Sequence, residues 1–146
     1  MGSKVDVKKW IYASIVVFAL FCIVEAILTR LVLAPGYPDM YPASSDVQDV
    51  GMLRLYTYVG RAIFSVLFVY LFIRGYEGKQ GIGEGARFGL WVGLLMYVPT
   101  IFYSLVVTKF GVGLLLTRAA GSLIETVLLG VAANWVYARK AAVPKP

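Results

Sequence analysis

"SVLFVYLFIRGYEGKQGIGEGARFGLWVGLLMYV", residues 65–98, places two apolar runs on either side of a charged, glycine-rich stretch. Residues 74–89 hold six glycines and five charges, and Gly81-Ile82-Gly83-Glu84-Gly85-Ala86 satisfies the dinucleotide pattern G-x-G-x-x-A. That pattern cradles a pyrophosphate when a strand precedes it and a soluble helix follows it. Here both flanks belong to runs long enough to cross a membrane, so the context argues against nucleotide binding. The stretch reads instead as a turn between two membrane helices. Gly75 and Gly78 suit a helix exit that needs positive φ. Gly85, Gly89 and Gly93 recur every four residues and carry a smooth packing face into the next helix.

The rest of the chain agrees with this reading. Its 146 residues are 60% hydrophobic, with a mean hydropathy of +0.77, against about 45–50% apolar content in soluble domains. Apolar runs cover about residues 10–33, 53–73, 88–107 and 114–137. Each can cross a hydrocarbon core of ~30 Å at about 1.5 Å per residue. The expected fold is an all-α integral membrane protein, its four transmembrane helices forming one compact bundle over residues 1–146. The first run follows Lys4, Lys8 and Lys9 but is too long for a signal peptide. Val32-Leu33-Ala34 before Pro35 is a poor cleavage site, so the run is expected to be a retained anchor. Asp6 breaks the myristoylation pattern.

The formal charge of +6 would suggest nucleic acid in a soluble protein. Here the basic residues flank the spans and set orientation instead. Lys4, Lys8, Lys9, Arg74, Lys79, Arg87, Arg139, Lys140 and Lys145 fall on one side, nine of the fourteen lysines and arginines. Both termini are therefore expected in the cytoplasm, with Trp10, Tyr12, Tyr76, Trp135 and Tyr137 at that interface. Residues 34–52 form an outer loop in which Pro35, Pro38 and Pro42 prevent a continuous helix, with Tyr37 and Tyr41 on headgroups or a partner. Residues 141–146 are expected to be a disordered tail.

Ionisable groups inside a span are costly and usually face the bundle interior. Helical rise puts Glu25 about 22 Å above Trp10, Arg61 about 18 Å from Ile73 and Glu125 about 18 Å from Tyr137. The three share one level in the outer half of the membrane. Arg30 and Arg118 lie nearer the surface. Pro99 falls at the level of Arg61 and removes the partner of the Leu95 carbonyl, opening the third helix toward polar neighbours. Two readings of this layer stand. It is a structural ion pair that pins the helices, or a ligand site where an arginine grips an anion or a glutamate carries a proton. In the fourth span Ser122, Thr126, Gly130 and Asn134 recur every four residues as a packing stripe, and Ser14 and Cys22 read as small inward-facing groups.

Without histidine, His-ligated metal or haem and His-based catalysis are excluded. A single cysteine, Cys22, excludes an intrachain disulfide. Two glutamates amid arginines have the wrong charge balance for a metal site. No nucleophile and base converge, so no enzyme is expected, and no cofactor or metal. Four helices with Glu25 in the first are similar to the small multidrug-resistance exporters, but the 34–52 loop, Arg61 and Glu125 depart from that pattern.

Arg74-Gly75-Tyr76-Glu77-Gly78-Lys79 and Gly83-Glu84-Gly85 with Arg87-Phe88-Gly89 carry a closer likeness. The chain resembles a group of small bacterial four-helix membrane proteins. In these, R-G-Y-E-G-K closes the second helix and G-E-G-x-R-[FY]-G opens the third. The resemblance continues loosely through the third and fourth spans and is poor in the first loop. It implies the fold and no activity. The expected protein is a multi-pass component of the bacterial inner membrane. Its preferred role is a non-enzymatic accessory or structural subunit of a larger assembly that also binds lipid. Its partners are the bilayer and other membrane subunits or further copies of itself, not nucleic acid. The alternative is a small transporter or solute-binding protein, proton-coupled through Glu25, Arg61 and Glu125.

Overall fold

A computed structural model describes residues 6–33, 50–77, 82–107 and 111–139. Within them the chain is helical: α1 at Val7–Ile27, prolonged by a π-helical segment at Leu28–Leu33, then α2 at Val50–Gly75, α3 at Ile82–Val107 and α4 at Val112–Arg139. All four are long and apolar enough to cross a membrane. Of the expected 34–52 loop, residues 34–49 lie outside the described residues, and Val50 to Met52 form the first turn of α2. The 141–146 tail and Gly78 also lie outside them. Gly75 closes α2 as a helical residue without the positive φ expected of it.

Helix α1 starts at Asp6, whose carboxylate accepts from the backbone N–H of Lys8 at 3.1 Å and of Lys9 at 3.3 Å. Two donors that open a helix without partners are satisfied in this way. At the turn between α2 and α3, the Glu77 N–H donates to the Glu84 carboxylate, and Arg87 lies 3.6 Å from Glu77. That ion pair is exposed and contributes at most about 1 kcal/mol. Burial, the Glu84 carboxylate and Tyr137 together hold the Tyr76 phenol above its ordinary range.

The helices do not form a square. Helix α4 packs closely on α3 and also on α1, while α2 packs mainly on α1. The apolar core lies in the half of the bundle nearest Trp10. It is built on Ala13 and Val17 of α1, Phe68 and Phe72 of α2, and Leu129 and Ala133 of α4. Phe88 closes the gap between α2 and α3 here, meeting Phe68 at 5.1 Å and Phe72 at 5.4 Å edge-on. Aromatic pairs of this geometry contribute about 0.5–1.5 kcal/mol beyond their buried area. Trp10 joins α1 to α2 through its indole N–H, 3.1 Å from the Val66 carbonyl.

Glycine sets the α3–α4 contact. A β-carbon at Gly85 would strike the Gly130 carbonyl, and one at Gly89 the Thr126 carbonyl. One at Gly93 would strike the Thr126 hydroxyl, and Gly130 meets the Gly85 carbonyl in return. The two backbones touch, as small residues permit in lipid, where apolar burial cannot draw helices together. The Thr126 hydroxyl is satisfied within α4 by the Leu123 carbonyl at 3.0 Å. Gly60 of α2 has open space around it instead. Gly60→Ala is therefore expected to leave the fold intact and raise stability by up to about 1 kcal/mol from helix propensity alone, seen as an equal or higher thermal midpoint in detergent.

Away from the core the bundle opens. Residues 51–60 of α2, apart from Leu53 whose side chain is not described, are exposed on every side, and most of α3 beyond Met96 is exposed as well. The charged layer lies where this opening begins.

Candidate functional site at the charged layer

Three of the charges expected in the spans come together. Arg61 Nη2 lies 3.6 Å from Glu25 Oε1, and both side chains are about three-quarters buried or more. The distance is that of an ion pair and exceeds a good hydrogen bond. Arg61 also lies over two aromatic rings, its guanidinium carbon 5.6 Å from the Phe21 ring centre and 5.7 Å from that of Tyr58. Cation–π attraction of this kind contributes about 0.5–1 kcal/mol and more where water is excluded.

Glu125 is the innermost member, 1% exposed. Among the described residues neither of its carboxylate oxygens has a hydrogen-bond donor. The Glu25 carboxyl lies within hydrogen-bonding reach of it, and Arg61 and Arg118 act on it electrostatically. Arg118 stands exposed one face-repeat earlier on α4, and Arg30 is exposed on the π-helical end of α1. These two form an outer cationic fringe, separate from the buried trio.

Tyr97 completes the cluster and was not singled out from the sequence. It interacts with the Ser122 hydroxyl and lies within electrostatic reach of Glu125 and Glu25. The signal was present in the spacing. Gly85, Gly89 and Gly93 lead by fours to Tyr97, and Asn134, Gly130 and Thr126 lead by fours to Ser122 on the antiparallel partner. Tyr97 is thus the next rung after the glycines. It puts a large side chain where the helices had been in backbone contact. All four helices now contribute to one layer: Glu25 from α1, Arg61 from α2, Tyr97 from α3, and Ser122 and Glu125 from α4.

Pro99 does not face this layer. It is exposed, and Leu95 is 77% exposed, so the face carrying the unpartnered Leu95 carbonyl points out of the bundle. Thr100 spends its hydroxyl on the Met96 carbonyl at 2.8 Å, one residue away from that carbonyl. The rotation follows from the glycine ridge, which occupies the other side of α3. Nearer the Trp10 end, an apolar groove of about 240 Å³ runs between α1 and α2, lined by Trp10, Ser14, Phe18, Ala62 and Val66.

Chemically the buried trio carries two carboxylates and one guanidinium. Such a set has room for a proton or another small cation, while an anion would have to displace Glu25 from Arg61. Comparison with protein-family models, curated proteins and solved structures finds no match for this chain.

Proposed function

We propose that the protein is a non-enzymatic component of a larger membrane assembly in the bacterial inner membrane, with both termini in the cytoplasm. The observation that carries this reading is the outward face of α3. Proline at 99 has no N–H to give the Leu95 carbonyl, and Leu95, Pro99, Phe102 and Tyr103 are all exposed. A backbone carbonyl turned toward hydrocarbon without a partner costs several kcal/mol, and neighbouring helices commonly supply the missing donor. A partner subunit packed on this face would meet that need. The groove at Trp10 suits a lipid acyl chain, and Lys8 and Arg74 lie near the level of its headgroup.

A photo-crosslinking side chain at Leu95 or Phe102 is expected to capture a membrane protein, or a second copy of this chain, at fixed stoichiometry in native membranes. The same probe at Leu67, exposed on α2, should capture lipid. Lipid alone from all three positions would overturn the assembly reading. One observation favours the second reading, a small proton-coupled transporter or solute-binding protein: Glu125 is fully buried beside a second carboxylate. Proton-linked uptake by the isolated chain, lost in Glu25→Gln, would establish that reading in place of the first.

A further inference from the structure

We propose that Glu25 and Glu125 hold a single proton between them, making the charged layer a built proton-binding site with Arg61 as its fixed counter-charge. The inference depends on neither functional reading above, because it concerns what the layer binds and not what the chain assembles with.

Geometry supplies the first reason. Two ionised carboxylates are acceptors only and cannot bond to each other. Yet the Glu25 carboxyl is the group within hydrogen-bonding range of Glu125, and no donor among the described residues reaches either Glu125 oxygen. A proton on one carboxyl turns this facing pair of acceptors into a donor and an acceptor. Carboxyl pairs that share a site behave this way because both cannot ionise at close range.

Charge supplies the second. The groups that face Glu125 come from every element packed on it: Glu25 of α1, Arg61 of α2, Tyr97 of α3 and Arg118 of its own helix. Arg118 is exposed at the edge of the bundle, so the buried balance is two carboxylates against Arg61. One proton brings that balance to neutrality. Without it a net negative charge would be left where desolvation costs several kcal/mol per ion.

Exposure supplies the route. Glu125 is sealed, whereas the Glu25 side chain is 27% exposed and lies where the bundle opens. A proton entering the layer meets the Glu25 carboxyl first and is then shared with Glu125. No covalent step and no other reactant is needed. The π-helical turn that begins three residues after Glu25 accompanies the site, as such turns often do at functional positions.

The test is infrared spectroscopy of the full chain in lipid bilayers, titrated with acid and base and compared with single variants. The protonated-carboxyl stretch is read, and amide bands confirm that each variant stays helical. The wild-type chain is expected to show one such band at neutral pH that shifts in deuterated water. Glu125→Gln and Glu25→Gln should each abolish it, because either leaves one carboxylate matched to Arg61. Arg61→Gln should double its intensity, because both carboxyls must then be neutral. Retention of the band in Glu25→Gln would assign the proton to Glu125 alone and overturn sharing. Absence of the band from the wild type at neutral pH would overturn proton binding altogether. If Arg61→Gln does not fold, the two glutamine variants alone still decide between these outcomes.

Discussion

Gly89→Leu is expected to separate α3 from α4 and to lower stability by about 3 kcal/mol or more, at or beyond the usual range for overpacking. The first added carbon would meet the Thr126 carbonyl and would lie 2.8 Å from the Val127 Cα. Both belong to the α4 backbone, so no rotamer change makes room. The helices must move apart, and every rung of the ridge loosens together. Even Gly89→Ala should be harmful for the same reason. Gly93→Ala should be milder, because the atoms it meets belong to the side chains of Thr126 and Leu123. Thermal midpoints of the three variants in one detergent, read by circular dichroism, give the order Gly89→Leu below Gly89→Ala below Gly93→Ala. Equal midpoints for all three would mean that the helices do not touch as described.

The second large effect belongs to Arg61. Removing one partner of a buried ion pair costs about 3–5 kcal/mol, because the charge left behind has lost its compensation. With one proton already shared by the carboxyl pair, Arg61→Gln leaves one such charge that only a second proton can neutralise, and it also removes the cation that lies over the Phe21 and Tyr58 rings. A loss of about 3 kcal/mol is expected at neutral pH, the low end of that range because Glu25 and Arg61 keep some contact with solvent. The sign of the pH dependence follows from linkage. In the variant the folded state binds more protons than the unfolded chain, so its stability falls as pH rises and recovers as pH falls. Thermal midpoints of wild type and variant should therefore converge in acid and diverge in base. A difference independent of pH would show that Arg61 acts through packing alone.

Together these variants separate two jobs that the chain places at different heights. The glycine ridge holds α3 on α4 near the Trp10 end. The charged layer joins all four helices where the ridge stops. Tyr97 marks the change, since it is the first large side chain on the rung pattern and sits against Ser122. A loss at Gly89 should therefore disturb Glu125 indirectly, whereas a loss at Arg61 should leave the glycine contact in place.

Much of this was legible along the chain. Hydropathy marked four spans because a bilayer tolerates only long apolar helices with their backbone groups paired. The recurrence of small residues every four positions on the third and fourth spans pointed to close packing. Helical rise alone put Glu25, Arg61 and Glu125 at one level, since depth in a membrane depends on residue number and little else. What escaped was whatever depends on how each helix is turned about its axis. Pro99 stands at the same level as the charges, yet it faces away from them. Tyr97, unremarkable in a run of apolar residues, meets Ser122 within electrostatic reach of Glu125.

The sequence by itself determined the class of protein, its four long apolar helices and the common level of Glu25, Arg61 and Glu125, because helical rise turns chain position into depth. The tertiary structure decided which charges meet, that Arg61 pairs with Glu25 while Glu125 is sealed, and that Pro99 points outward. Those outcomes follow from the rotation of the helices. For α3 and α4 that rotation is set where the backbones of Gly85, Gly89 and Gly130 come into contact, a contact no single span contains.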